Sequence, residues 1–230
     1  MSTTNPRQNV TFPSGDGQAH GYLVTPPSGG GPGVVVIQEW WGLTDHIAEV
    51  TDRLATEGFV ALAPDLYGGA TTHDAEEARR LMTELPVDRA TRDLAGAVDH
   101  LLDHEAVTSS TVGAVGFCMG GGFVLTLAAQ QGARVAAAAP FYGMIGPEVD
   151  LSGLRAEVQG HFGEHDGMIP LEAVERLRER IEHEAGVTPE LHLYPAGHAF
   201  LNDENPDSYD EASARRAWDR TVRFLREHVG

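Results

Sequence analysis

Residues 112–122, Val-Gly-Ala-Val-Gly-Phe-Cys-Met-Gly-Gly-Gly, constrain the fold more than any other part of the sequence. An apolar run suited to a buried strand passes without a loop into Gly-x-Cys-x-Gly, and then into the Ala/Leu-rich helical stretch 119–131. Such a strand-to-helix turn lifts the residue at its apex clear of the sheet, and a side chain at Gly116 or Gly120 would collide with neighbouring backbone. The apex residue is Cys118, the one cysteine of the chain. A lone cysteine usually reads as a small buried hydrophobe. Here the two flanking glycines and the helix N-terminus beside the sulfur make it a candidate nucleophile.

The rest of the chain repeats the alternation of short apolar runs and amphipathic helical segments that marks a mostly parallel sheet. Strands are expected at 9–12 and 21–24, pairing as an antiparallel edge hairpin, and at 34–38, 59–63, 112–116, 135–141, 158–162 and 191–194. The run 34–38 is apolar until its end, as in a strand buried on both faces. Thr44 or Asp45 can cap a helix whose buried face is Ile47, Val50 and Leu54 and which stops at Gly58. Helical patterns follow at 74–85 and 88–104; Val174, Leu177 and Ile181 mark another helix, and Ala214, Trp218 and Leu225 the closing one. With 41% hydrophobic and 22% charged residues over 230 positions, one domain spanning 1–230 is expected, with no separate cap domain.

Charge narrows the partners. The formal net charge is −18 and all 16 basic residues are arginine, so the surface repels nucleic-acid phosphates and anionic lipids. The polar stretch 1–10 lacks the apolar core of a signal peptide and no run is long enough to span a bilayer, so a cytoplasmic location is expected. A single cysteine leaves no thiolate cluster for a structural metal, and no metal or cofactor is expected.

A nucleophile at such a turn requires an acid after a later strand and a histidine after the last one. The run Gly163-Glu164-His165-Asp166-Gly167 places Asp166 on a loop after the strand 158–162, and Gly197-His198-Ala199-Phe200 places His198 after 191–194. His198 is then the general base, and Asp166 fixes its tautomer and stabilises the imidazolium. Asp166 alone would read as a turn residue, and His198 as one of eleven histidines. His161, His165 and Asp166 are close enough in sequence to suggest a metal site, but His161 lies within a strand and should point away from the loop.

Together with Gln38-Glu39-Trp40-Trp41-Gly42 and Ala63-Pro64-Asp65-Leu66-Tyr67, these motifs resemble those of the dienelactone hydrolase family, in order and spacing, over most of the chain. The resemblance implies an α/β-hydrolase fold with a central sheet of about eight strands and helices on both faces. It implies a cofactor-independent Cys118–Asp166–His198 hydrolase that cleaves small esters or lactones through an acyl-enzyme. It gives Glu39 the role of accepting the thiol proton when substrate enters, and the backbone N–H groups of Trp40 and Met119 that of an oxyanion hole. Trp41, Phe141, Phe200 and Asn202 are candidate pocket residues.

One departure bears on substrate. Family members that act on dienelactone hold its carboxylate with arginines, one of them four residues after the catalytic histidine, where this chain has Asn202; Arg79 and Arg80 are not clearly in register with the other. Without a cationic clamp an anionic lactone loses its charge partner in a partly desolvated site. A lactone-binding protein without catalysis, a broad carboxylesterase and a redox sensor at Cys118 are the competing readings. The assembly expected is a monomer or small homo-oligomer.

Overall fold

The computed structural model describes Asn5 and residues 7–229; residues 1–4 and 6, within the stretch read above for a leader, and Gly230 lie outside the described residues. Eight strands form a mostly parallel sheet flanked by helices, the α/β-hydrolase fold. The chain divides into two compact units, 1–112 and 113–230.

In the first unit, β1 (Val10–Ser14) and β2 (Gly17–Val24) pair antiparallel, with Val10 opposite Gly21 and Ser14 opposite Gly17. β4 (Val60–Pro64) pairs antiparallel with β2 and parallel with β3 (Gly31–Ile37). Val34 to Ile37 have no exposed surface, as a strand covered on both faces requires. Between β3 and β4 runs α1 (Asp45–Thr56), which buries Ile47, Val50 and Leu54 and packs on β4. The chain leaves it at Gly58, whose φ of +101° only glycine adopts readily. Burying such an aliphatic side chain contributes roughly 1.5–3 kcal/mol, so this one face holds the strand–helix–strand unit together. Asp74 caps α2 (Ala75–Glu84) by accepting from the Glu76 and Glu77 N–H groups, and only Ala78 of this helix is buried. α3 (Val87–Asp103) follows and packs on β1, β3 and β4.

The unit boundary falls within β5 (Val107–Phe117), which begins earlier than its apolar run because Thr108, Ser109 and Ser110 extend it as a half-exposed alternating strand. The second unit continues with α4 (Met119–Gln131), β6 (Val135–Phe141), β7 (Glu157–Gly163), α5 (Leu171–Ala185), β8 (Glu190–Tyr194) and α6 (Glu211–His228). β7 lies between β6 and β8, parallel to both. α4 is buried around most of its circumference, leaving one stripe, Met119, Phe123, Thr126 and Gln130, that is not buried. α6 buries Ala214, Trp218 and Leu225 and packs on β6 and β7. Among the described residues, no helix is long and apolar enough to cross a membrane.

Candidate active site

Cys118 stands where β5 becomes α4, with φ +53° and ψ −115°, and is partly exposed. Its N–H donates to the Phe141 carbonyl at 3.1 Å and its own carbonyl accepts the Gly121 N–H at 3.0 Å, so the strained apex is held at both ends. A Cβ on Gly116 would lie 2.4 Å from the Gly120 carbonyl oxygen, the collision that the flanking glycines avoid. Cys118, Tyr142 and Ala199 are the only non-glycine residues with positive φ among those described. Each costs about 1–3 kcal/mol, and such strain gathers at functional sites. Ala199 follows His198 in sequence, and the Tyr142 ring packs 5.2 Å from the His198 ring.

The acid and the base lie on neighbouring loops. Asp166 follows β7 and His198 follows β8. The Glu164 N–H donates to the Tyr194 carbonyl at 2.7 Å and the His165 N–H to the Ala196 carbonyl at 2.9 Å, tying one loop to the other. Gly163 permits this approach, because a Cβ there would sit 2.4 Å from the Ala196 oxygen and 2.6 Å from that of Gly197. As a result, Asp166 Oδ2 lies 2.7 Å from His198 Nδ1. Asp166 Oδ1 accepts the Met168 and Ile169 N–H groups at 2.7 and 3.0 Å, so both carboxylate oxygens are committed.

Those bonds set the charge states. Burial pushes the Asp166 carboxyl up, but His198 and the two N–H donors outweigh it and hold the pKa below the ordinary carboxylate value. Burial pulls the His198 imidazolium down, yet its bond to Asp166 and the neighbouring Cys118 sulfur prevail and raise its pKa to about 10. With Asp166 ionised, Nδ1 carries the proton that bridges the pair. Nε2 is buried with no hydrogen bond of ordinary geometry among the described residues.

His161 takes no part in this pair. It is fully buried: Tyr194 donates its O–H to Nδ1 at 2.8 Å, and Nε2 donates to Thr221 Oγ1 at 3.0 Å, because that hydroxyl already donates to the Ala217 carbonyl. Burial depresses its pKa well below the usual value, and it stays neutral. His165 is exposed, and no cluster of three metal-ligating side chains occurs among the described residues.

The remaining candidates are placed as follows. Phe141 and Phe200 are fully buried and 6.4 Å apart, within the aromatic cluster of Tyr142, Tyr194 and His161. Asn202 is buried, and its Oδ1 accepts the Glu204 N–H at 3.1 Å. Met119 is the first residue of α4, directly after Cys118. In the first unit Glu39 is buried just beyond β3, and the half-exposed Trp40 and Trp41 rings meet 4.8 Å apart, with His73 stacked 6.5 Å from Trp41. Arg79 is exposed, and Arg80 is engaged with Glu77 and Glu84 at the surface. Sequence reading missed Tyr142 and Gly163. Gly163 was open to discovery as a glycine closing a strand before an acidic loop, whereas nothing local marks Tyr142.

The eight-stranded, mostly parallel sheet with its helices defines a protein of the α/β-hydrolase class. The model of the dienelactone hydrolase family matches residues 19–229, and the chain belongs to that family. It is 34% identical over 232 residues to the protein named usf of Aquifex pyrophilus, covering 96% of this chain and 99% of the relative. It is 31% identical to a protein of Aquifex aeolicus provisionally named carboxymethylenebutenolidase, covering 96% and 99%. A crystal structure from Klebsiella pneumoniae, provisionally named dienelactone hydrolase, superposes with a TM-score of 0.86 at 30% identity, covering 95% of this chain and 97% of that one. The chain is accordingly a carboxylic ester hydrolase.

Proposed function

We propose that the chain hydrolyses small esters or lactones with Cys118 as nucleophile, His198 as acid–base and Asp166 as the group that orients it. The observation that carries this reading is the 2.7 Å bond from Asp166 to His198 Nδ1, which leaves Nε2 for the sulfur at the strained turn. The sulfur attacks the carbonyl carbon as thiolate, with its proton on Nε2. Collapse of the tetrahedral intermediate breaks the C–O bond, and Nε2 returns the proton to the departing alkoxide, which in a lactone stays attached to the acyl group. Water then attacks the thioester, Nε2 takes its proton, and the carboxylate leaves as the sulfur is regenerated.

The family resemblance adds Glu39 as the group that takes the thiol proton when substrate enters, before that proton stands on Nε2, and the Trp40 and Met119 N–H groups as donors to the oxyanion. Each such donor lowers the barrier by about 2.7–4 kcal/mol. Trp41, Phe141, Phe200 and Asn202 complete the proposal as groups shaping the acyl pocket. Asn202 supplies no charge, and its Oδ1 is committed to Glu204, so neutral esters and lactones are the substrate class favoured.

The test is hydrolysis of short aryl esters and enol-lactones, neutral and anionic, by the wild type and by Cys118→Ala. Loss of turnover in the variant is expected, and unchanged turnover would remove Cys118 from the reaction. Ligand bound without product release would favour a binding protein, and a kcat/KM preference for anionic lactones would overturn the assignment of substrate class.

A further inference from the structure

We infer that Tyr142 is a positioning residue: its ring sets the plane of the His198 imidazole, while the peptide group that precedes it anchors the nucleophile and β7. This rests on the triad proposed above. Asp166 fixes His198 at one atom, Nδ1, and a ring held at one atom can still swing about that bond. The Tyr142 ring, with 1% of its surface exposed, packs 5.2 Å from the imidazole at an interplanar angle of 59°. It is backed by Phe200 at 5.3 Å and Phe117 at 6.3 Å, so it has little room to yield.

The chain reaches this position by a conformation that tyrosine rarely adopts, φ +36°. The peptide group between Phe141 and Tyr142 is held at both edges: its carbonyl accepts the Cys118 N–H at 3.1 Å, and its N–H donates to the His161 carbonyl at 2.7 Å. With that peptide group held, an ordinary φ at Tyr142 would turn the ring away from the base. One strained residue thus links the placement of the sulfur to that of the imidazole. The ring also lies within the range at which an aromatic face attracts a cation, so it favours the protonated imidazole.

The experiment compares the wild type with Tyr142→Phe, Tyr142→Leu and Tyr142→Asn, the last suited to a left-handed backbone without a ring. Three readouts are taken: kcat and KM on a small aryl ester, the NMR titration of His198, and the pH dependence of Cys118 alkylation by iodoacetamide. Tyr142→Phe should match the wild type. The ring-less variants should lose about tenfold or more in kcat with little change in KM, as expected for a misplaced acid–base. Their His198 midpoint should move down toward the ordinary histidine value, and the alkylation profile should move with it.

Two results would overturn the inference: ring-less variants that lose only thermal stability while His198 titrates as in the wild type, or a Phe variant as impaired as Leu. The NMR and alkylation readouts need no substrate. Movement there in a protein that hydrolyses no ester would refute the proposed function and leave the positioning role standing.

Discussion

Asp166 holds His198 by a 2.7 Å hydrogen bond from Nδ1 to Oδ2, and is itself held through Oδ1 by the N–H groups of Met168 and Ile169. The carboxylate is therefore oriented before it orients the base. Asp166→Asn keeps the shape of the side chain and removes the charge that selects the Nδ1–H tautomer. Its kcat should fall on the order of 10³–10⁴-fold, in line with the same change in serine-protease triads. The His198 titration should descend from about 10 toward the ordinary value, read by NMR across the pH range.

The same pair shapes stability against pH. His198 has its pKa raised to about 10 in the folded state, so its contribution is complete below the unfolded value of about 6.5 and is lost as pH rises through about 10. Asp166 has its pKa lowered, so its contribution is present above the ordinary carboxylate value and is lost as pH falls through the folded one. Thermal melts from neutral to pH 10.5 should show a decline that His198→Gln flattens; equal slopes in both proteins would count against the pairing.

His161 should behave in the opposite sense. Its folded pKa is depressed, so the folded state takes up its proton later than the unfolded chain, and stability drops as pH falls below about 6.5. His161→Ala should remove that acid slope. It should also lower stability at neutral pH by about 1–3 kcal/mol, because the Tyr194 O–H is left without its acceptor while Thr221 keeps its bond to the Ala217 carbonyl. Turnover should be nearly unchanged, measured beside the melts, because the ring touches neither Asp166 nor the sulfur's partner.

Gly163→Ala places a methyl group 2.4 Å from the Ala196 oxygen. The loops of the acid and the base must then part, which should destabilise the protein by about 1–3 kcal/mol and depress kcat more than KM. A variant with normal kcat and a lengthened Asp166–His198 contact in its crystal structure would show that the distance matters less than argued.

Much of this architecture was legible before any coordinates. β6 and α4 run where the apolar pattern places them, because a doubly covered strand and an apolar helix leave no other reading of those residues. β5 was legible only in part: Thr108, Ser109 and Ser110 look like a loop, yet strand pairing recruits them. The three strand-end residues Cys118, Asp166 and His198 were visible through turn chemistry, and the structure brings Asp166 and His198 together. Tyr142 was not visible, since its positive φ is imposed by partners distant in sequence, the carbonyl of His161 and the N–H of Cys118 bonding beside it.

The absence of a side chain at Gly163 has a consequence for how such a protein can change. Because two loops share the space a single methyl would fill, neither can be rebuilt alone. Variation that retunes the acid has to arrive together with variation around the base.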